Sequence, residues 1–213
     1  MEIKSPKSQC LLCKCEFTGR GMTRHMKSCL PKYLESKGKK KTDKAFFHVV
    51  VSFRYAPFMY WLQLKVAADA ELRDLDRFLR DIWLECCGHM SAFSIDREEL
   101  EMDEIVGDVF EPGMELLHEY DFGSTTELLV KVIDRHEGPM PKNKAVEILA
   151  RNAEPEIPCS ECGAVPAVEI CTECMWDGSG WLCKACAKKH KCDRDMFLPV
   201  VNSPRTGVCG YTG

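Results

Sequence analysis

The sequence predicts an α+β protein, with a mostly antiparallel sheet packed on one main amphipathic helix and small zinc-stabilised modules at both ends. Three observations support this fold class. Apolar, β-branched segments of strand length recur through the middle of the chain. One stretch, residues 72–83, has apolar side chains at three- and four-residue spacing with charged residues between them, as in a helix laid on a sheet. Cysteine and histidine residues with metal-ligand spacing occupy both ends.

The first segment, residues 1–31, carries the pattern Cys10-x2-Cys13-x11-His25-x3-Cys29. Three thiolates and one imidazole are a ligand set typical of a tetrahedral structural zinc. The pattern resembles a C2HC variant of the ββα zinc finger, in which Phe17 and Met22 stand at the apolar positions of that family. We therefore expect one zinc ion here, and Cys15 is a spare thiol.

A lysine-rich segment, residues 32–44, follows and is predicted to be a solvated linker. In the ββα family, helix positions that here fall near Thr18, Gly21 and Arg24 read about three base pairs. Glycine has no side chain that reaches a base, so we predict phosphate contact with little sequence preference. A lone finger also binds protein, and that alternative stays open. The residues expected to contact nucleic acid are Arg20, Arg24, Lys27, Lys39, Lys40 and Lys41.

The central segment, residues 45–154, provides the sheet and its helix. Asp69 is the predicted N-cap of the amphipathic helix. A hairpin is expected around residues 122–124, where Gly123 is predicted to adopt a positive φ. Segments with strand character are 45–55, 60–66, 90–95, 114–121 and 126–133.

The last segment, residues 155–213, contains the most specific pattern in the chain, and its four ligand pairs are Cys159-x2-Cys162, Cys171-x2-Cys174, Cys183-x2-Cys186 and His190-x-Cys192. Two thiolates on one tight turn reach a single tetrahedral zinc, so four pairs supply two closed sites. In a sequential arrangement the first two pairs share one ion and the last two share the other. In a cross-brace the first and third pairs share one ion, and the second and fourth pairs share the other.

The short spacing after the third pair resembles that of a B-box, and this resemblance favours the cross-brace. It implies one site of Cys159, Cys162, Cys183 and Cys186 and another of Cys171, Cys174, His190 and Cys192. With the finger, three zinc ions per chain are expected. Trp176 and Trp181 flank the turn between the second and third pairs and are predicted to be half-buried covers for the thiolates.

Composition and charge narrow the class of protein. The chain has 213 residues and 14 cysteines, its start has no apolar signal-peptide core, and no apolar run reaches transmembrane length. We therefore expect a cytoplasmic protein with reduced cysteines and no membrane partner. Residues 1–44 carry a net charge of +8, residues 45–154 of −11 and residues 155–213 of −1. A basic N-terminal segment thus precedes an acidic central segment.

Within the central segment, the stretches 60–66, 81–85 and 88–93, and above all Tyr120-Asp121-Phe122-Gly123, resemble the plasmid pRiA4b ORF-3-like (IS1096 passenger TnpR-like) family. The tail at 198–205 and 207–211 is similar to that of members with a cysteine-rich C-terminus. The resemblance implies an α+β fold for residues 45–154 and no established activity. Polar residues that usually follow the tetrapeptide in that family are missing here, which argues against catalysis.

The remaining polar residues have simpler interpretations. Tyr120, Asp121, His89 and His118 are the candidates should an active site exist, although we expect a turn and hydrogen-bonded histidines instead. Cys86 and Cys87 are expected to be packing residues. The tail residues Asn202, Arg205 and Cys209 are expected to dock on the core, with anion or partner binding as the alternative.

These observations favour a non-catalytic, zinc-binding adaptor. We expect its basic finger and linker to contact nucleic acid or a nucleoprotein. The first alternative is a protein–protein interaction scaffold that uses the C-terminal zinc module. The second alternative is an enzyme with a site near Tyr120 and Asp121.

Overall fold

The chain is an α+β protein, as the sequence predicts, with 22% of its residues in helix and 32% in strand. The computed structural model describes residues 7–213, so residues 1–6 of the predicted finger segment lie outside the described residues. Across residues 7–213, no helix is both long enough and apolar enough to cross a membrane.

The N-terminal module is a two-stranded hairpin followed by a long helix. Strand β1 (Ser8–Gln9) pairs antiparallel with β2 (Glu16–Phe17), and helix α1 spans Gly19–Lys37. The helix therefore continues beyond residue 31 into the segment that the sequence suggests is a linker. The exposed lysines Lys39, Lys40 and Lys41 lie in the short connection that follows it.

A seven-stranded sheet, in which every neighbouring pair is antiparallel, forms the centre of the molecule. Its strands are β3 (Lys44–Phe53), β4 (Trp61–Ala67), β5 (Ser91–Ile95), β6 (Glu98–Leu100), β7 (Glu115–Tyr120), β8 (Thr126–Gly138) and β9 (Val146–Arg151). Their order across the sheet is β6-β5-β7-β8-β3-β4-β9. The sequence predicts five of these strands, whereas the edge strands β6 and β9 were missed because they are short or mixed in polarity.

One face of the sheet is covered by helix α2 (Leu72–Leu79), which continues into a π-helical turn at Arg80–Leu84. Leu72, Leu75, Leu79 and Trp83 are fully buried against the sheet, as their periodicity predicts. Each such aliphatic side chain contributes about 1.5–3 kcal/mol through burial. The short helix α3 (Val106–Val109) contributes the fully buried Val106 to the same core.

The predicted N-cap of this helix is wrong by two residues. Glu71, not Asp69, is the N-cap, and it forms a capping box with Asp74. The chain first makes a turn after β4, and Glu71 forms a β-bridge with Ile105, so the helix starts later than expected. Asp69 instead forms a 2.6 Å ion pair with Lys44.

The opposite face of the sheet is covered by α1. Met22, Met26 and Leu30 are fully buried against Phe46 and Trp61. With helices on both faces, every residue of β4 is buried. The N-terminal module is thus packed on the central sheet along one side of its helix.

The C-terminal module is built on a three-stranded antiparallel sheet of order β11-β10-β12. Its elements are β10 (Glu169–Cys171), β11 (Trp181–Leu182), α4 (Lys184–Ala187) and β12 (Phe197–Pro199). The tail after β12 returns to the central domain, as expected. Asn202 bonds to Asn152, and Arg205 is fully buried.

Candidate metal centres

The finger residues predicted to bind zinc lie together at the start of α1. Cys10 and Cys13 stand on the turn between β1 and β2, where the Lys14 N–H donates to the Cys10 carbonyl at 2.8 Å. His25 and Cys29 lie one helical turn apart on α1 and so face the same side. Cys13 Sγ is 3.2 Å from His25 Nε2, and Cys10 Sγ is 3.9 Å from Cys29 Sγ.

The surroundings of His25 favour its metal-binding form. The Phe17 ring stacks on the imidazole at 4.1 Å between centroids, which fixes the orientation of the ring. Burial lowers the pKa of His25 below its usual value. A lowered pKa favours the neutral imidazole, which is the form that binds a metal ion.

The first cluster of the C-terminal module contains Cys159, Cys162, Cys183 and Cys186, whose sulfurs all lie within 4.8 Å of one another. Burial alone would raise the pKa of the Cys159 thiol, but N–H groups of Cys162, Cys183 and Glu161 outweigh burial and lower it to about 6. This turn therefore stabilises a thiolate before any metal ion arrives.

The second cluster contains Cys171, Cys174, His190 and Cys192, again within 4.8 Å. Cys174 Sγ lies 3.6 Å from Cys192 Sγ and 3.4 Å from His190 Nε2. The His190 ring also contacts Phe197 edge to face, at 5.5 Å between centroids. Phe197 begins β12, so this strand helps to hold the ligand in place.

These two clusters interleave along the chain. The first and third cysteine pairs share one cluster, and the second and fourth ligand pairs share the other. This grouping is the cross-brace that the short spacing after the third pair favours. It differs from the sequential alternative, in which the first two pairs would share one cluster. Strands β10 and β11 pair antiparallel, so Cys171 at the end of β10 and Cys183 just after β11 lie at opposite ends of their ladder.

The ligand chemistry of the three clusters fits zinc. Each offers four donors, either four thiolates or three thiolates and one imidazole, at tetrahedral spacing. All cysteines of the chain are free, so no disulfide competes for these sulfurs. Four protein donors close the coordination sphere, which is the arrangement of structural zinc sites.

The two tryptophans of the C-terminal module differ in exposure. Trp181 is half-buried, as predicted, but it packs against the main core and not against the cluster of ligand cysteines. Trp176 is 76% exposed, so the prediction that it covers the thiolates is wrong. It lies in the 3-10 helical turn Met175–Asp177 and is not among the residues packed with the ligand cysteines.

A fourth Cys/His cluster was missed by the sequence reasoning. It contains Cys86, Cys87, His89 and Cys209, with all donor atoms within 4.8 Å. Cys86 does pack against the main core, as expected, but Cys87 is exposed. The signal for this cluster was the local spacing Cys-Cys-x-His together with an unassigned cysteine in the tail. Three metal sites were expected, and the structure contains four clusters that could each hold a metal ion.

The residues around Tyr120 form a buried polar network. Asp121 lies 6% exposed, and its carboxylate binds the fully buried Arg205. Its Oδ1 also accepts hydrogen bonds from the N–H groups of Gly123 and Ser124, at 3.1 and 3.2 Å. Asp121, with φ of 65°, adopts the left-handed conformation that was predicted for Gly123. Aspartate tolerates this conformation because its side chain bonds the following backbone.

The histidine candidates near Asp121 have different partners. His89 Nε2 is 3.5 Å from Asp121 and belongs to the fourth cluster. His118 is fully buried in β7, two residues before Tyr120, and its Nε2 lies 2.8 Å from Asp76 Oδ1. The structure thus places His118 in the core as a histidine hydrogen-bonded to Asp76, as expected.

The predicted nucleic-acid-binding residues are all exposed. Arg20, Arg24 and Lys27 recur at four- and three-residue spacing on α1, so they share one face of the helix. Within residues 7–213, none of the three forms a salt bridge with a carboxylate. Lys39, Lys40 and Lys41 lie past the C-terminal end of the same helix.

The fold and its clusters define an α+β protein whose Cys/His groups are suited to hold metal ions, which fits a zinc-binding role. No family model matches the chain, and no curated protein matches it. Among solved structures, it is similar to the crystal structure of a protein of unknown function, MM3350, from Methanosarcina mazei Go1. The two are 17% identical with a TM-score of 0.40, over 52% of this chain and 70% of that chain. This likeness carries no functional argument.

Proposed function

We propose that the protein is a non-catalytic, zinc-binding adaptor that contacts nucleic acid or a nucleoprotein through the basic face of α1. The observation that carries the proposal is the row Arg20, Arg24 and Lys27 on a helix whose opposite side is packed on the sheet. Cations without carboxylate partners remain available to phosphate groups.

The packing of α1 supports this proposal because it holds the basic face in one orientation. A buried chain of hydrogen bonds joins the helix to the sheet. Gln63 Nε2 donates to Thr23 Oγ1 at 2.7 Å, and Gln63 Oε1 lies 2.7 Å from His48 Nε2. A rigid row of cations loses less side-chain and backbone freedom on binding than a flexible tail would.

The charge distribution limits where nucleic acid would bind. Residues 45–154 carry a net charge of −11, so the central domain repels phosphate wherever α1 does not cover it. Helix α1 has 19 residues and is about 28 Å long. The lysines 39–41 therefore extend the basic surface to the far end of the helix, over a footprint of several phosphates.

The metal clusters support an adaptor role over catalysis. A catalytic zinc keeps a coordination position open for water or substrate. Each cluster here supplies four protein donors, so a bound ion would have no such position. Zinc would then maintain the surfaces that partners contact.

The test is the salt dependence of nucleic-acid binding by the full chain. Fluorescence anisotropy with labelled duplex DNA and single-stranded RNA is measured between low and high NaCl, for the wild type and for Arg20→Ser/Arg24→Ser/Lys27→Ser. Each lost phosphate contact lowers the slope of log K against log salt by about 0.7–0.9. We expect the variant to lose up to about 2–3 units of slope.

The matched control is Lys184→Ser/Lys188→Ser/Lys189→Ser, which removes three exposed cations from the C-terminal module. This control should bind as the wild type does. An equal loss in both variants, or a wild-type slope near zero, would contradict the assignment to α1. Deletion of residues 1–44 is a poor test because it would uncover Phe46 and Trp61.

A protein partner at the C-terminal module is the second candidate. Trp176 supports it, because tryptophan is enriched at interfaces and this one is 76% exposed on a zinc-stabilised turn. Trp176→Ala would then abolish capture of a protein partner without changing the salt dependence of nucleic-acid binding.

We also propose that residues 45–154 belong to the pRiA4b ORF-3-like family, on the basis of Tyr120-Asp121-Phe122-Gly123.

A further inference from the structure

We propose that Cys86, Cys87, His89 and Cys209 form a fourth zinc site, and that this site fastens the C-terminal tail to the central domain. Such a site would be additional to the adaptor function and its three predicted zinc ions. Three of the ligands follow α2 and its π-helical turn, whereas Cys209 belongs to the tail. A metal ion here would join two parts of the chain that are remote in sequence.

The sulfur–sulfur distances fit a tetrahedral ion, and the sulfur–nitrogen distances are about 0.3–0.5 Å shorter than the ideal value. Cys87 Sγ lies 3.7 Å from Cys209 Sγ and 3.8 Å from Cys86 Sγ. His89 Nε2 lies 3.0 Å from Cys87 Sγ and 3.2 Å from Cys209 Sγ. Tetrahedral zinc with Zn–S of about 2.3 Å and Zn–N of about 2.0 Å separates two sulfurs by about 3.8 Å and sulfur from nitrogen by about 3.5 Å.

The same separations occur in the three clusters that the sequence predicts. There, sulfur–sulfur distances are 3.9, 3.9 and 3.6 Å, and sulfur–nitrogen distances are 3.2 and 3.4 Å. The distances in the fourth cluster are also far from the 2.05 Å or so of a disulfide. Three sulfurs and an imidazole converge on one point, which a disulfide would not require.

The backbone at both ends of the site is shaped to bring the donors together. Gly88 adopts φ of 81°, and its N–H donates to Glu85, so the chain reverses between Cys87 and His89. Cys209 has φ of 49°, which is uncommon for a residue with a side chain. Such a conformation is strained and persists where surrounding interactions hold it. Coordination of Cys209 is one such interaction.

The fully buried Arg205 contacts the fourth cluster. Arg205 Nη2 donates to Cys86 Sγ at 3.5 Å and also binds the Asp121 carboxylate. Its Nη1 donates to the Ser124 carbonyl and to Thr126 Oγ1, at 3.1 and 3.0 Å. Three thiolates, one neutral imidazole and Zn²⁺ carry a net charge of about −1, so a nearby guanidinium stabilises the loaded site. Arg205 comes from the same tail as Cys209.

Apart from this cluster, the tail is held on the central domain by the Arg205 network and by a few further polar contacts. After β12 it forms turns without a further strand. Ser203 donates to the Trp83 carbonyl at 2.5 Å, and Asn152 Nδ2 donates to Asn202 Oδ1 at 2.6 Å. A four-coordinate ion would add a strong local constraint four residues after Arg205. The predicted consequence is that metal occupancy keeps residues 203–211 docked.

The first test counts metal ions per chain by inductively coupled plasma and native mass spectrometry, on full-length protein purified with reductant. The variant is Cys87→Ser/Cys209→Ser. Both side chains are exposed, so the substitutions remove no core packing. We expect the variant to bind one zinc ion fewer than the wild type. The difference of one does not depend on whether the other three clusters are loaded.

The matched control is Cys15→Ser. Cys15 is exposed and is the only cysteine among residues 7–213 that lies outside the four clusters. Its replacement should leave the zinc count unchanged. The same count in wild type and Cys87→Ser/Cys209→Ser would overturn the site. A Cys87–Cys209 disulfide recovered by peptide mapping from protein kept under reductant would also overturn it.

The second test measures docking of the tail by trypsin cleavage after Arg205, which releases residues 206–213. Proteolysis of this kind reports how often the site opens. We expect the peptide to appear several-fold faster from Cys87→Ser/Cys209→Ser than from wild type or Cys15→Ser. A variant that loses one zinc ion but releases the peptide at the wild-type rate would refute the fastening role.

Discussion

At the scale of single residues, buried polar groups decide how the central domain is arranged. His118 and Asp76 join β7 to α2 through a 2.8 Å contact inside the core. Arg205 and Asp121 do the same between the tail and the turn after β7. In each pair, one partner shields the other from the cost of an unpaired buried charge. Position in the fold, more than residue type, thus determines whether a histidine or a carboxylate is structural.

Asp76 should make stability depend on pH. Burial opposes its ionisation, but hydrogen bonds from His118 and Ser91 and the charges of His118 and Arg80 outweigh burial and lower its pKa. Because the folded-state pKa is below the unfolded value of about 3.9, the carboxylate stabilises the fold above about pH 4. This contribution is lost as pH falls through the folded-state pKa.

We expect Asp76→Asn to lower the free energy of unfolding by about 1–2 kcal/mol at pH 7, since the amide keeps the shape but not the charge. The difference from wild type should narrow below about pH 4. Urea denaturation of both proteins at several pH values measures this difference in the free energy of unfolding. Metal release in acid affects both proteins alike and cancels in the comparison. A difference that stays constant with pH would contradict the assignment.

At the scale of elements, α1 serves two structural tasks. It contributes His25 and Cys29 to a metal cluster, and its Met22, Met26 and Leu30 cover one face of the sheet. The polar residues of β4 on that face become buried. The Lys65 side chain is 2% exposed and pairs with Glu147 at 2.8 Å. Its Nζ also lies 5.2 Å from the centre of the Phe46 ring.

Met26→Ala tests whether α1 is packed on the sheet in solution. Met26 is fully buried between the helix and the sheet, so we expect a loss of about 2–5 kcal/mol in the free energy of unfolding. Chemical denaturation measures the loss. Lys27→Ala, one residue further along the same helix and exposed, should change it by less than about 0.5 kcal/mol. If both substitutions changed the free energy of unfolding by the same small amount, helix α1 would not be packed on the sheet in solution.

At the scale of the whole molecule, the central domain and the C-terminal module are stabilised by different means. The central domain has a large apolar core between the sheet and α2. The buried cluster of the C-terminal module consists mainly of its ligand cysteines, with Leu182 and Ala187 as the other buried members. So small a core cannot hold the module without metal ions or disulfides.

Zinc removal should therefore unfold the molecule in part. After treatment with a strong chelator under reductant, we expect amides between residues 159 and 192 to exchange hydrogen rapidly. Amides of β3, β4 and β8 should keep their protection, because their ladder and core do not depend on metal. Hydrogen exchange followed by mass spectrometry resolves the two regions. Protection that persists in the module, or is lost throughout the sheet, would contradict this division.

The sequence by itself determined what depends on neighbours along the chain. Ligand pairs on tight turns, the apolar stripe of α2 and the strand segments all follow from local spacing, and so does the α+β class. Tertiary structure decided what depends on distant segments. Gln63 and Lys65 give β4 the alternation of a half-exposed strand, but α1 covers that face. Cys209 joins Cys86, Cys87 and His89 only because the tail folds back, and no local pattern encodes a contact that long-range packing creates.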